Sequence, residues 1–391
     1  MGKSESRLCY LDNNATTRVA PEVVAEMLPF FTERYGNASS MHQFGGAVHS
    51  DVQKAREKVA AFLDAQTPAE IVFTSCGSES DNQAIFGVVE ALGESTVVIT
   101  SAVEHPAVLQ PCKRLEERGH TVVRVGVHGN GTLRMDEYAA ALALPGPKLV
   151  TLMWANNETG VLFPIVECAR MAKAVGAVFH TDATQAVGKV PISVRNSDIN
   201  LLTFSGHKIH APKGIGVLYI RRGTPIRPFL LGGHQEQSRR AGTENVPYIV
   251  GLGKAVELAG SELRSGELDR IRALRDRLQS GLSEIPDTVV NGSLELRLPN
   301  TLNVSFPYIE GEAILYHLSD AGICASSGSA CTSGSLEPSH VLRAMKVPFT
   351  SLHGSVRFSF SRYNTDEDVQ QVLSVMPGIV RTLRALSPFG H

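Results

Sequence analysis

Between about residues 50 and 220, short apolar runs of strand length alternate with stretches of helical periodicity. That alternation limits the fold more than any other feature of the chain. Ile71-Val72-Phe73-Thr74 and Thr96-Val97-Val98-Ile99-Thr100 read as strands, as do the runs at 121–125, 148–153, 177–181, 199–204 and 215–220. Between them, Asp51 to Leu63 places Val52, Ala55, Val59, Phe62 and Leu63 on one helical face, and Ser78 to Leu92, 106–118, 136–143 and 165–175 also read as helices. Alternating elements of this kind predict βαβ units and an α/β fold with a mostly parallel sheet.

The texture changes after residue 260. Glu267 to Ile285 is a long amphipathic helix with Leu268, Ile271, Leu274, Leu278, Leu282 and Ile285 on its apolar face. Strand-like runs at 303–306 and 356–360 flank a helix near 311–321. The chain has 391 residues, and single cores stop growing near ~250–300 residues. Two domains are therefore expected: a large one over 21–259, and a smaller α+β domain built from 1–20 and 260–391.

Lys and Arg total 37 against 39 Asp and Glu, a net charge of −2. No broad basic face is on offer to nucleic acid or to an anionic membrane. No apolar run approaches the ~18–20 residues that span a bilayer. Met1 to Arg7 lacks the apolar segment of a signal peptide, so the chain is expected to be cytoplasmic. The six cysteines at 9, 76, 112, 168, 324 and 331 form no C-x-x-C pair, which argues against a zinc ribbon, and disulfides are not expected.

Three short segments carry the chemistry. Ser205-Gly206-His207-Lys208 follows a strand and precedes Pro212-Lys213-Gly214. A lysine there can present its amine to a carbonyl compound, provided desolvation or a nearby cation keeps the amine partly deprotonated. Alone, it is as well read as a surface lysine in a turn. Asp182-Ala183-Thr184-Gln185 closes another strand. A carboxylate there can pair with a protonated pyridine nitrogen, or it can simply cap a helix. Gly77-Ser78-Glu79-Ser80 lies between a strand and a helix, where exposed N–H groups and the helix dipole suit an anion. Two nucleotide signatures fail. Val256 follows Gly251-Leu252-Gly253 where a dinucleotide fingerprint wants Gly or Ala, and Val190 follows Gly188-Lys189 where a P-loop needs a hydroxyl.

Taken in order, these segments put an anion turn, a carboxylate and a lysine on successive βα units, whose strand ends converge in one crevice. The chain here resembles the cysteine desulfurases among the class V, fold-type I enzymes that use pyridoxal 5′-phosphate. The resemblance runs from Tyr10-Leu11-Asp12-Asn13-Asn14-Ala15-Thr16-Thr17 to Leu386-Ser387-Pro388. It includes Asn37-Ala38-Ser39-Ser40, Val103-Glu104-His105, Asn156-Asn157-Glu158-Thr159-Gly160, Arg240-Ala241-Gly242-Thr243 and Ser326-Ser327-Gly328-Ser329-Ala330-Cys331. It implies a large domain with a seven-stranded sheet flanked by helices, and a small domain bearing a mobile loop at about 325–335.

The resemblance also implies roles. Lys208 would hold the cofactor and move the substrate's α-proton. His105 would stack on the ring and shuttle protons. Asp182 would face the pyridine nitrogen, Gln185 the ring hydroxyl, and Asn157 the ring and substrate. Gly77, Ser78, Ser205 and His207 would cradle the phosphate, with Thr243 lent by the neighbouring subunit of a homodimer. Arg357 would grip the carboxylate of L-cysteine, beside Asn157 and Asn37.

Cys331 would attack the substrate sulfur, carry it as a persulfide and release L-alanine. No metal is required, though Cys331 could serve as a transient iron–sulfur ligand. Cys324 reads as packing. Trp154-Ala155-Asn156-Asn157-Glu158-Thr159, His210-Ala211-Pro212-Lys213 and Arg239-Arg240-Ala241-Gly242-Thr243-Glu244-Asn245 are most similar to the NifS-like, nitrogenase-associated branch, which implies an iron–sulfur scaffold protein as sulfur acceptor. Two departures stand out: Ser78 where Thr is common, and Gln237-Ser238 where Arg then Gly is common. Competing readings are a housekeeping desulfurase for iron–sulfur assembly or tRNA thiolation, a selenocysteine lyase, an aminotransferase that would not need Cys331, and a non-catalytic sulfur or metal carrier.

Overall fold

The computed structural model describes residues 7–327 and 338–388. Its strands are β1 (Cys9–Tyr10), β2 (Ile71–Thr74), β3 (Val97–Ser101), β4 (Val122–Val125), β5 (Lys148–Met153), β6 (Val178–Asp182), β7 (Leu201–Ser205), β8 (Gly216–Ile220), β9 (Val289–Val290), β10 (Thr301–Ser305), β11 (Ile323–Cys324) and β12 (Ser355–Ser359). Seven of them form one sheet in the order β2-β8-β7-β6-β5-β3-β4. Only β8 runs against its neighbours. The α/β architecture with a mostly parallel seven-stranded sheet, expected from the alternating pattern, is the one observed.

Helices cover both faces of this sheet, which is why its strands are apolar without interruption. Successive residues feed opposite cores. Ile71, Phe73, Ile99, Phe179, Leu202 and Phe204 pack on one side, with helices Gln43–Phe62, Ile165–Ala174 and Val246–Ser265. Val72, Val98, Leu149, Val178, Leu201 and Leu218 pack on the other, with helices Gly77–Leu92 and Pro106–Glu117. A separate core gathers Cys9, Leu11, Ile271, Leu278, Leu302, Phe358 and Val372. It lies among helices Glu267–Ser283 and Asp366–Leu386 and the antiparallel strands β9, β10 and β12.

Two helices of this framework have no counterpart in the sequence reading: Val246–Ser265 and Asp366–Leu386. In the first, Gly251, Gly253 and Gly260 dilute the apolar stripe. A Cβ on Gly253 would sit 2.9 Å from the Ala55 Cβ, so the glycine lets this helix lie close against Gln43–Phe62. In the second, Pro377 sits inside the helix, where a proline ordinarily signals an end. Helix Val246–Ser265 also runs through residues 259–260, and Gly266, at φ +79°, separates it from Glu267–Ser283.

Candidate active site

The ends of β2, β3, β5, β6 and β7 deliver five segments to one edge of the sheet. A cavity of about 300 Å³ opens there. Beyond β2, Cys76 caps helix Gly77–Leu92 with no side-chain hydrogen bond, which leaves the first amides without an intrahelical partner. A Cβ on Gly77 would stand 3.3 Å from Thr184 Oγ1 and 3.5 Å from Ser205 Cβ. Gly77, Ser78, Thr184, Ser205 and His207 thus share one end of the cavity.

Beyond β3, His105 caps helix Pro106–Glu117, its Nδ1 accepting from the Ala107 N–H at 3.1 Å. In the neutral ring the hydrogen therefore resides on Nε2. Burial is the main cause holding this imidazole below its usual range, with Asp182 opposing and Lys208 and His340 adding to the lowering. His207 is pushed down to about 4, again mainly by burial, then by Lys208, Lys213 and Lys189. Its Nδ1 lies 3.1 Å from Thr16 Oγ1.

Asp182 ends β6, where its Oδ1 accepts from the Thr184 N–H at 2.9 Å. Behind it a polar spine crosses three strands. His180 sits 2.8 Å from Thr151 Oγ1 and 3.0 Å from Thr203 Oγ1. Burial drives this histidine down to about 3, so it is neutral. Asp81 Oδ1 stands 3.6 Å away and has no hydrogen-bond partner among the described residues. Burial first, and Asp182 next, raise the Asp81 carboxyl well above its ordinary range.

Lys208 leaves the short turn after β7 and donates to the carbonyls of Asn14 and Ala15 at 2.6 and 2.7 Å. Gln185 Nε2 donates to the same Asn14 carbonyl at 2.9 Å. Arg357, on β12, reaches in from the second core. Its guanidinium donates to Asp12 Oδ1 at 2.8 Å and to the Asn157 carbonyl at 2.9 Å, while Nε has no partner among the described residues.

Gly77, Ser78, His105, Asn157, Asp182, Gln185, Ser205, His207, Lys208 and Arg357, all singled out from sequence, line this one cavity. Asn37 and Thr243 do not line it, and both are exposed. Cys331 and most of the 325–335 loop lie outside the described residues. Asn14, Ala15, Cys76, Asp81 and Thr184 also line the cavity, and no role was read for them from sequence. Asn14 and Ala15 lie in the Tyr10–Thr17 segment and Thr184 stands two residues after Asp182. Among the described residues no group of three His, Cys, Asp or Glu is placed to hold a metal ion, and no helix is long and apolar enough to cross a membrane.

Residues 9–372 match the family model of class-V aminotransferases, and the chain belongs to that family. Within it the chain stands among the cysteine desulfurases. It is 59% identical over 381 residues to a cysteine desulfurase of Trichormus azollae, covering 97% of this chain and 94% of that protein. It is 55% identical to the cysteine desulfurase NifS of Azotobacter vinelandii over the same shares. Among solved structures, a NifS-like protein matches with a TM-score of 0.91 at 40% identity, over 96% of this chain and all of that one. A structure described as SspA in complex with cysteine matches with a TM-score of 0.80 at 34% identity, over 91% of this chain and 99% of that one.

Enzymes of this family use pyridoxal 5′-phosphate, and the residues here suit it. An open helix N-terminus suits a phosphate, a carboxylate suits a pyridinium nitrogen, and an amine suits an aldehyde.

Proposed function

We propose that this chain is a cysteine desulfurase that holds pyridoxal 5′-phosphate on Lys208, takes sulfur from L-cysteine onto Cys331 and releases L-alanine. One observation carries the reading. The Lys208 amine, the Asp182 carboxylate and the open helix end at Gly77 face one cavity, in a chain 59% identical over nearly its whole length to a protein described as a cysteine desulfurase. When bound, the cofactor supplies an electron sink for the substrate's Cα.

The chain's own groups do the rest. Gly77, Ser78, Ser205 and His207 would hold the phosphate, and Asp182 would keep the ring nitrogen charged. His105 would lie against the ring and offer its Nε2 hydrogen. Arg357, aimed by Asp12 and the Asn157 carbonyl, grips the substrate carboxylate, with Asn157 beside it. The Lys208 amine takes the α-proton. The Cys331 thiolate then forms an S–S bond to the substrate Sγ as the C–S bond breaks. The electron pair stays with carbon; Cβ takes a proton and Cα takes back the one held on the Lys208 amine, so the organic product is alanine.

The wider reading is a cytoplasmic homodimer in which Thr243 serves the partner's phosphate site, with domains at 21–259 and at 1–20 plus 260–391. Two separate apolar cores support two domains, with Leu298, Val341, Leu342, Met345 and Leu352 of the second segment packed into the first core. An iron–sulfur scaffold protein, supplying nitrogenase metalloclusters, would take the sulfur. The test is incubation with L-cysteine and a reductant, assaying alanine and sulfide, for the wild type and Cys331→Ala. Borohydride trapping with peptide mapping accompanies it. Absence of the cofactor on Lys208, or sulfide release undiminished in Cys331→Ala, overturns the reading.

A further inference from the structure

Behind Gln185 lies a second lysine that the mechanism above does not use. Lys189, four residues on, donates from Nζ to Gln185 Oε1 at 3.0 Å and to the Gln185 carbonyl at 3.1 Å. The other end of the same amide donates from Nε2 to the Asn14 carbonyl at 2.9 Å, and Lys208 Nζ donates to that carbonyl at 2.6 Å. An ammonium or amine can donate to an amide oxygen, and a carbonyl can only accept. Both contacts therefore demand one orientation of the Gln185 amide, with its oxygen turned back to Lys189 and its N–H₂ turned toward Asn14 and Lys208. Only one N–H is spent on Asn14, so Gln185 faces the cavity as a donor.

We propose that Lys189 is a positioning residue of the active site, fixing Gln185 as a hydrogen-bond donor toward the cofactor's ring hydroxyl. The proposal rests on the functional reading above. A fixed donor stabilises that oxygen as an anion, and so lowers the pH at which the bound cofactor gives up its proton.

The setting of Lys189 suits the task. Its residue keeps some exposure, but its amine sits among protein atoms, and burial pushes it down to about 7, helped by the Lys208 and Arg357 cations. His210, Glu262 and Arg362 line the small cavity on its other side. Arg362 and Glu262 are paired with each other.

The test is a pH titration of the visible absorbance of the cofactor-loaded chain, with cofactor affinity measured by titrating the stripped chain with pyridoxal 5′-phosphate. Lys189→Met should raise the titration midpoint by about one unit, a tenfold change in proton affinity, and weaken cofactor binding. Lys189→Arg, which keeps a donor, should restore both. Lys189→Leu, which also lacks a donor, serves if the Met variant fails to fold. In a Gln185→Ala background the Lys189→Met shift should vanish, because the lysine acts through the amide. A midpoint unmoved by Lys189→Met or Lys189→Leu overturns the proposal, and so does a shift that persists in full without Gln185. Either leaves the functional reading standing. Failure of the wild-type chain to develop a visible band, with Lys208 unmodified by borohydride, instead removes that reading and the proposal with it.

Discussion

The guanidinium of Arg357 and the carboxylate of Asp12 meet at 2.8 Å, the arginine 3% and the aspartate 20% exposed. The pair aims a planar fork whose Nε is still without a partner among the described residues. Arg357→Ala should lower kcat/KM for L-cysteine on the order of 100-fold, the value of about 2–3 kcal/mol for hydrogen bonds to a charged group. Arg357→Lys should recover little, because an ammonium cannot reproduce the fork. Asp12→Asn should raise KM more than it lowers kcat. Steady-state kinetics at unchanged cofactor absorbance decide the matter, and an unchanged KM in Arg357→Ala would count against the carboxylate clamp.

Lys208 and Cys331 divide the reaction, and their variants should fail differently. Lys208→Ala should yield neither alanine nor sulfide from L-cysteine, since no amine remains to move the α-proton. Cys331→Ala should bind the cofactor normally and lose sulfide release. Mass mapping of the Cys331 peptide after one exposure to substrate, without reductant, should find one added sulfur in the wild type.

Glu104 gives the fold a pH signature. Its Oε1 accepts from Ser101 Oγ at 2.6 Å and from the Met153 N–H at 3.0 Å, while Oε2 has no partner among the described residues. Burial raises this carboxyl to about 8. The folded chain then keeps a proton that the unfolded chain has released, so the stabilisation is complete below about 4.5 and is lost as pH rises through 8. His180, held down to about 3, acts in the opposite sense, present above about 6.5 and lost on acidification. Glu104→Gln should therefore lose less melting temperature than the wild type between about pH 5 and pH 8, read by thermal denaturation in matched buffers.

Glu236 to Ser238 is a run of three left-handed residues, with φ of 49°, 58° and 62°. A buried bidentate pair restrains the run. Arg56 donates to the two Glu236 oxygens at 2.6 and 2.8 Å, and the Phe73 N–H adds a bond at 3.0 Å. Removing one partner leaves a buried charge, at a cost of about 3–5 kcal/mol. Arg56→Met and Glu236→Leu should each lower the melting temperature markedly. The double variant should melt above either single one, and equal additive losses would refute the pairing argument.

The sheet was legible because its strands are buried on both faces and its helices keep their period. Lys208, Asp182 and Gly77 were legible because strand ends in a parallel sheet share one edge. What sequence could not convey was contact made by backbone. The carbonyls of Asn14 and Ala15 that hold Lys208 carry no residue signature, and neither does the bond that turns Gln185. The Asp81 oxygen that has no partner among the described residues depends on the enclosure around His180, which only tertiary packing supplies. Helix Asp366–Leu386 was hidden by Pro377, which the small core's packing overrides.

Residues 12–17 are fastened to two distant parts of the chain. Asn14 N–H donates to Ser359 Oγ at 2.9 Å and Asn13 Nδ2 to the Ser359 carbonyl at 2.8 Å, while Thr17 Oγ1 donates to the His207 carbonyl at 2.8 Å. During synthesis this ribbon is made long before its anchor at Ser359. The sheet can therefore form with Lys208 already in its turn, yet the carbonyls that hold the amine are locked in place only when β12 has left the ribosome. A nascent chain stalled before that point carries the lysine without its seat.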